Sequence, residues 1–365
     1  MESKFKSKVA ILCASDLSRM TMASVYTEYL ENNNIPYDII YVDKYKDASP
    51  FGAAQYYPYN VEGYENAPFP IKLMHYWKMR KFVAKLLKEN QYEFVIVWGE
   101  LAAFLFADIL KKSVPNKFCI NIRDYFYNHI FFVQNRLKLA INNSRFFTVS
   151  SEAYLDFLPK GNSIVMHSLN KKLLADIQPV KNLRDKEEPI RILYIGLIAR
   201  LPYAYKMIDE LGNDSRYELI FAGIGSEQID SYIEGKNLTN IKTYGKFPAT
   251  ETNQYLKKAD IIYNLYGYDN RHFDLALSIK LYYAISMNIP IMVFDGTFTG
   301  KVAEKCGIAF TLHGEEYDNL GDRLYQWYHR LSLEEISEKC YEFLKEVDQS
   351  QSNLIDSLDE IFKTE

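Results

Sequence analysis

Two cationic side chains fall where predicted parallel strands would present them to an anionic ligand. Lys280 lies just inside a predicted helix over 278–287, although that helix end already carries partial positive charge. Ser278 can cap the helix and leave backbone N–H groups directed outward, so an anion is the ligand that this helix start favours. Arg200 follows a predicted strand and Gly196, where it could clamp a diphosphate through two hydrogen bonds. The alternatives are a lysine solvated at a helix end and a tight turn whose arginine faces water.

The stretch YELIFAGIGSEQ holds a second candidate turn. Gly223 and Gly225 follow a predicted strand and precede a helix, but the third glycine of a dinucleotide fingerprint is missing. A tight strand-to-helix turn is the simpler interpretation. The same turn could instead let a nucleotide base lie against the backbone.

In the first half of the chain, Arg123 and Asp124 follow the predicted strand FCINI. The Asp124 carboxylate could accept from a hydroxyl group of a ligand, and Arg123 could meet phosphate. The alternative is a buried Arg–Asp salt bridge at a strand end. Glu100, after VIVWG, is a further candidate at a neighbouring strand end, and His167 is equally compatible with a structural role.

A predicted helix over 71–89 is strongly basic, with Glu89 as its one acidic residue. Its cations are Lys72, Lys78, Arg80, Lys81, Lys85 and Lys88. Aromatic and aliphatic residues, among them Tyr76 and Trp77, give it an apolar face. Such a helix is typical of a membrane-surface element, and the alternative is a helix packed on the core with a solvated basic face.

The candidate site residues follow predicted strands or begin predicted helices, so their positions depend on an alternation of strands and helices along the chain. Predicted strands cover 8–13, 37–42, 93–98, 118–122, 146–150, 163–167, 190–195, 217–222, 241–244, 260–266, 289–294 and 307–312. Predicted helices cover 20–32, 71–89, 101–112, 151–158, 202–211, 226–234, 250–258, 278–287 and 315–347. Near-continuous apolar strands in this alternation predict parallel sheets covered on both faces, hence an α/β protein with two tandem Rossmann-like domains. Residues 46–70, rich in Pro, Gly and Tyr, are expected to form a long loop.

The predicted boundaries follow composition. Residues 1–170 form a first domain, the charged stretch 171–189 a linker, and 190–345 a second domain, while 346–365 is a C-terminal helix that could return to the first domain. Residues 1–180 carry a net charge of +5 and the remainder −9, within −4 overall. This asymmetry suggests different partners for the two halves, and the acidic whole argues against nucleic acid.

Composition also limits cofactors and location. The four cysteines show no paired spacing, so free and mostly buried thiols are expected. No apolar run approaches a membrane span, and the N-terminal apolar run is too short for a signal peptide, which predicts a cytoplasmic protein. The sequence contains neither an Asp-x-Asp pair nor histidines or cysteines at ligand spacing, so no metal is expected.

The ordered segments YIGLIAR, ELIFAGIG, NIKTYGKF, KKADIIYNLYG, SIKLYYAISMNIPIMV and KVAEKCGIAF resemble the donor-binding domain of family 4 GT-B glycosyltransferases. The resemblance is greatest to the bacterial capsular and exopolysaccharide branch. It covers residues 190–312 well and residues 1–170 in strand order only. It implies two Rossmann-like domains facing each other across a cleft, with the nucleotide sugar bound to the second.

The resemblance also assigns residues. Gly196 and Arg200 match the diphosphate-binding turn, and Lys280 matches the lysine of the helix start, with Ser278 in place of the usual proline. Tyr283 stands where the family usually has a ribose-binding glutamate, and its hydroxyl could serve instead. Leu275, beside Asp274, replaces the acidic residue near the transferred sugar. The Arg123-Asp124 pair stands where related enzymes often have a His-Asp pair facing the donor sugar, which implies that Asp124 could orient the acceptor or a sugar hydroxyl.

The expected activity is transfer of a sugar, with retention of configuration, from a nucleotide-diphosphate donor to a lipid-linked saccharide at the inner membrane surface. A UDP-sugar is the expected donor. One rival is a sugar-nucleotide 2-epimerase of the same fold. Another is a non-catalytic nucleotide-binding scaffold, which Tyr283 and Leu275 favour.

Overall fold

The computed structural model describes residues 9–20, 22–44, 51–61, 68–125 and 127–363, and the chain divides into two units. The first comprises Met1–His167 with Ser350–Glu365, and the second Ser168–Gln349. Residues 171–189, all of them described, contain no helix or strand and lie within the second unit, where Leu174 and Ile177 are buried.

The first unit is built on a parallel sheet of seven strands in the described ranges, in the order β3-β2-β1-β4-β5-β6-β7. The strands are β1 (Val9–Cys13), β2 (Tyr37–Asp43), β3 (Gln55–Asn60), β4 (Phe94–Trp98), β5 (Phe118–Ile122), β6 (Phe146–Val149) and β7 (Ser163–Val165). The helices are α1 (Ser24–Asn32), α2 (Phe69–Asn90), α3 (Glu100–Ser113) and α4 (Phe131–Ile141). In the register, Val9 of β1 lies opposite Tyr37 and Phe94.

Two elements of this unit differ from the sequence-based expectation. Strand β3 lies in the segment 46–70 that was expected to be a loop, and it occupies the sheet edge, where Pro58 need not donate to a second neighbour. The ends of that segment, 45–50 and 62–67, lie outside the described residues. Helix α4 was not predicted, because it begins with the exposed Phe131 and Phe132 and has no side-chain cap.

The second unit repeats the plan with six parallel strands in the order β10-β9-β8-β11-β12-β13, all of them described. They are β8 (Ile190–Ile195), β9 (Tyr217–Ala222), β10 (Ile241–Tyr244), β11 (Ile261–Tyr263), β12 (Ile291–Phe294) and β13 (Ala309–Leu312). The helices are α5 (Leu201–Leu211), α6 (Glu227–Ile233), α7 (Thr252–Leu256), α8 (Arg271–Asp274), α9 (Ile279–Met287), α10 (Phe298–Lys305), α11 (Leu320–Tyr328) and α12 (Leu333–Phe362). Ile192 of β8 lies opposite Leu219 and Ile261.

The central strands of both sheets are buried on two faces, which is why they are near-continuously apolar, whereas the edge strands β3 and β10 are partly exposed. The single helix expected over 315–347 is two helices, α11 and α12. The end of α12 belongs to the first unit, where Leu354 and Leu358 join a core that includes Tyr26 and Leu30. The α/β class with two Rossmann-like sheets is therefore confirmed.

All four cysteines are free and buried, as expected from their spacing. Among the described residues, none of the helices combines the length and the apolar character that crossing a bilayer requires.

Candidate functional site

A pocket of about 230 Å³ opens beside the carboxyl ends of β11 and β12 in the second unit. Strand order reverses one strand away, between β8 and β11, and ligands of doubly wound sheets bind near such a reversal. The lining residues are Asn264, Tyr266, Gly267, His272, Phe273, Ala276, Ser278, Thr297 and Thr299. The lining combines hydroxyl, amide and imidazole groups with the rings of Tyr266 and Phe273, and more of its exposed surface is apolar than polar.

Two helices start at this pocket. Ser278 caps α9 by accepting from the Lys280 N–H at 3.3 Å, and its hydroxyl donates to the Asn264 side chain at 2.7 Å. Thr297 caps α10 by accepting from the Gly300 N–H at 3.0 Å. Thr299 joins the two starts, because its hydroxyl accepts from the Ser278 N–H at 3.0 Å. Two positive helix ends at one pocket favour an anionic ligand.

The two predicted cations occupy different positions at this site. Arg200 is exposed at the start of α5, and its guanidinium lies 4.4 Å from the ring centre of Phe273, which lines the pocket. Lys280 is buried, with 4% of its surface exposed, and is not among the lining residues. Its Nζ donates to the hydroxyl of Tyr266, which does line the pocket. Burial lowers the pKa of Lys280 to about 7.

Glycine stands at the three predicted positions for different structural reasons. Gly196 has φ +99°, and a side chain there would meet open space, so its exposed backbone remains approachable by a ligand. A Cβ on Gly223 would lie 1.8 Å from the Gly196 carbonyl oxygen, and one on Gly225 2.5 Å from that of Ile198. Gly223 and Gly225 are thus required by close packing of two strand-to-helix turns, which favours the simpler of the two interpretations.

Tyr283 is placed differently from the prediction. It lies on a part of α9 that is buried on all sides, is 8% exposed, and packs in the core of the second unit rather than lining the pocket. Burial raises the pKa of its hydroxyl. The predicted hydrogen bond from Tyr283 to a ribose is therefore not supported by this geometry. Leu275 and Asp274 lie at the end of α8, and both are half-buried.

The first unit has its own pocket, of about 270 Å³, where strand order reverses between β1 and β4. It brings together the predicted Arg123, Asp124 and Glu100 with two residues that the sequence had not suggested, Asp16 and Lys44. The remaining lining residues are Ala14, Ser15, Trp98, Gly99, Leu101 and Ala102. Three carboxyl groups and two cations in one pocket suit a ligand rich in hydroxyl groups. His167 is buried and is not among the lining residues.

Glu100 is central in this pocket. It is the first residue of α3, and its Oε1 accepts from the backbone N–H of Asp124 at 2.7 Å and from that of Arg123. Its carboxyl thereby fixes the turn that carries both predicted catalytic residues. Burial, with the nearby charge of Asp124, raises the pKa of Glu100 to about 7.

The outer surface of the first unit carries the predicted basic helix. Lys78, Lys81, Lys85 and Lys88 of α2 are exposed, together with Trp77, while Met79, Val83, Leu86 and Leu87 are buried. The side chain of Lys72 lies outside the described residues.

Helix α4 adds apolar residues beside α2. Arg80 of α2 and Arg136 of α4 both bind Asp108 of α3, at 2.6 and 2.5 Å, so the three helices lie side by side. Phe131 and Phe132, at the start of α4, are 76% and 62% exposed. Of the eleven exposed large hydrophobic residues in the described ranges, seven lie in 71–77 and 127–132, so the exposed apolar surface of this unit is concentrated in α2 and around the start of α4.

No protein-family model and no curated protein matches the chain. Solved structures do match it along nearly its whole length. Sucrose-phosphate synthase from Thermosynechococcus elongatus is 10% identical with a TM-score of 0.69, covering 98% of this chain and 99% of that one. HepE of Anabaena, solved in complex with UDP, is 12% identical with a TM-score of 0.63, covering 97% and 100%.

A putative UDP-N-acetylglucosamine 2-epimerase from Listeria monocytogenes is similar to the same extent. It is 9% identical with a TM-score of 0.65, covering 98% of each chain. At these identities the likeness concerns the fold, and it confirms the predicted GT-B class.

Proposed function

We propose that this protein is a glycosyltransferase that moves a sugar from a nucleotide-diphosphate donor, a UDP-sugar first among them, to a lipid-linked saccharide. The observation that carries the proposal is the pocket of the second unit, where two helix starts meet beside Arg200. A diphosphate is the anion that such a pocket suits. Bacterial capsular or exopolysaccharide synthesis at the cytoplasmic face of the membrane is the proposed setting.

In the proposed reaction the bond between the anomeric carbon and the diphosphate breaks, and its electron pair stays on the diphosphate oxygen. The acceptor hydroxyl forms the new bond on the face that the diphosphate leaves, which retains the configuration, and its proton passes to the departing diphosphate oxygen. Arg200 and the starts of α9 and α10 stabilise the departing charge, so the reaction needs no metal. The carboxyl groups of the first unit's pocket, with Asp124 foremost, orient acceptor hydroxyls.

A thermal-shift screen over UDP-, GDP-, CMP- and dTDP-sugars tests donor binding, because a ligand at 100 times its Kd stabilises the native state by about 2.7 kcal/mol. We expect UDP-sugars to raise the melting temperature. Arg200→Ala should weaken binding by roughly 1.5–3 kcal/mol, the value of a charge-assisted hydrogen bond. Arg330→Ala, an exposed arginine of the same unit, is the matched control. A wild-type protein that binds none of these donors would refute the proposal.

Epimerisation of a sugar nucleotide is a second candidate activity, because this chain is similar in structure to the putative 2-epimerase from Listeria. Incubating the bound donor without an acceptor separates the two activities. A C2 epimer in the product mixture would identify an epimerase, whereas donor that stays intact until a saccharide acceptor is added would support transfer. Binding of the donor without turnover under either condition would identify a scaffold.

A further inference from the structure

Lys280 occupies an unusual place for a residue that serves an anion site. Its side chain is enclosed, with Nζ 5.0 Å from the ring centre of Tyr194 and 4.1 Å from that of Tyr266. Among the described residues, no carboxylate lies within salt-bridge distance of this Nζ, and its hydrogen bond goes to the hydroxyl of Tyr266. Because its neighbours are aromatic rings and one hydroxyl group, a structural ion pair does not explain why this amine is buried.

Tyr266 lies between this lysine and the pocket. It follows β11, is half-buried, and lines the pocket with Asn264 and Ser278. Because Lys280 donates to its oxygen, the phenol keeps its own O–H, which can turn either to the nearby Tyr194 hydroxyl or into the pocket. A phenol that accepts from an ammonium group is a stronger donor on its other side, since hydrogen bonds in a chain polarise one another.

We propose that Tyr266 is the residue of this pocket that contacts the ligand's phosphate, and that Lys280 acts on the ligand through Tyr266. This inference rests on the proposed function, because it assumes a phosphorylated ligand. Lys280 is then a positioning residue that supplies charge from behind the phenol, and Tyr266 donates to the diphosphate oxygen. Arg200, on the Phe273 ring, approaches the ligand independently.

Tyr263 provides the matched control. It is fully buried at the end of β11, its ring stacks on that of Tyr194 at 4.5 Å, its hydroxyl has no hydrogen-bond partner in the described structure, and it does not line the pocket. Removing its hydroxyl takes away one buried phenol oxygen near Tyr266 without touching the ligand. Tyr266→Phe removes one hydroxyl in the same way, but from the proposed line of contact.

The test is a double-mutant cycle on UDP binding, measured by calorimetry with the full-length chain. We expect Tyr266→Phe and Lys280→Met each to lower affinity about 10- to 100-fold, and the double variant to lose no more than either single one, because both act through one contact. Tyr263→Phe should bind UDP like the wild type. Additive losses would show that Lys280 meets the ligand directly, and unchanged binding in Tyr266→Phe would exclude the contact; either result overturns the inference.

A second measurement gives the number of protons taken up when UDP binds. It is obtained above pH 7 from the binding enthalpies in buffers of different ionisation enthalpy. The other titratable groups facing this pair are Tyr194 from β8, Tyr283 from α9 and Arg200 from the start of α5. The wild type should take up a proton on binding UDP, because the anion favours charged Lys280, and Tyr266→Phe should take up less. Since His272 also lines the pocket, the titration is repeated in His272→Gln. Equal proton uptake in Tyr266→Phe and the wild type would show that Lys280 does not act through Tyr266. A wild type that binds no UDP would refute the proposed function as well.

Discussion

Glu100 and Lys280 are buried ionisable residues, one in the pocket of the first unit and one behind the pocket of the second. Burial moves the pKa of each to about 7, upward for the carboxyl and downward for the amine. Such groups are unfavourable for stability in their charged forms. Their placement at the two candidate sites is the pattern expected of functional residues.

Lys280→Met should stabilise the ligand-free protein at pH 7. Because the pKa of Lys280 lies near 7 in the folded state and at 10.5 in the unfolded state, burial opposes folding fully below pH 7, and the penalty disappears as pH rises toward 10.5. Replacing a buried charge by an apolar side chain of similar volume yields roughly 1–4 kcal/mol. Urea unfolding at pH 7 and pH 10 should show a gain that shrinks at the higher pH. A variant less stable than the wild type at pH 7 would contradict this account.

Glu100→Gln gives the opposite pH dependence. A folded pKa of about 7 against 4.5 in the unfolded state means that the contribution of Glu100 to stability is present below pH 4.5 and is lost as pH rises to about 7. Glutamine can keep the acceptor role toward the two backbone N–H groups. The variant should therefore match the wild type near pH 4.5 and exceed it above pH 7 in chemical unfolding. A constant difference across this range would mean that Glu100 titrates normally.

At the scale of elements, helices α2 and α4 give the first unit a surface that is apolar at Trp77, Phe131 and Phe132 and cationic along α2. We propose that this surface binds anionic membrane. Each cation near such a surface contributes about 1 kcal/mol, so four lysines can hold the protein reversibly.

Replacing Lys78, Lys81, Lys85 and Lys88 with Gln should release the protein from anionic vesicles in a flotation assay at low salt. Replacing the exposed Lys246, Lys257, Lys301 and Lys339 of the second unit removes the same charge and should leave flotation intact. UDP binding should persist in both variants. A wild type that stays unbound even at low salt would make α2 an ordinary surface helix.

Phe131→Ser with Phe132→Ser tests the apolar part. High salt screens the lysines, so the binding that survives in 0.5 M salt should depend on these rings. Flotation of the double variant should fall at high salt more than at low salt. Identical salt curves for the variant and the wild type would mean that α4 does not insert.

Most elements were predictable because buried parallel strands and amphipathic helices leave strong periodic signals. Strand β3 was missed because it contains Pro58, which a strand tolerates only at the edge of a sheet. The position of a strand within the sheet is a property of the tertiary structure and cannot be read from the segment itself. Arg200 was predicted from its place after a strand and Lys280 from its place at a helix start; Arg200 lies on a pocket residue, whereas Lys280 is buried behind the pocket. Tyr266 was missed because it read as the end of a strand, whereas β11 stops at Tyr263 and leaves Tyr266 beside the pocket. The importance of Glu100 depends on burial and on contacts with residues 23 and 24 positions away, which spacing does not reveal.

At the scale of the whole molecule, helix α12 contributes to both units. Leu358 is 1% exposed in the core of the first unit, and Tyr29 donates to Asp359 at 2.6 Å. Leu358→Ala should therefore destabilise the protein by roughly 2–5 kcal/mol, the usual range for a buried leucine. The exposed Asp356→Ala is the control in the same helix. Denaturant unfolding measures both, and equal midpoints would show that the helix end does not support the core.

The membership of Ser350–Glu365 in the first unit has a consequence for synthesis on the ribosome. At about 5–20 residues per second, residue 350 is made some ten to forty seconds after residue 167. During that interval the nascent first sheet is assembled without the leucines that cover it, while the second unit is still being translated. The first unit made is therefore the last to be completed, and a polypeptide released before residue 350 exposes the apolar surface around Tyr26 and Leu30 to chaperones and proteases.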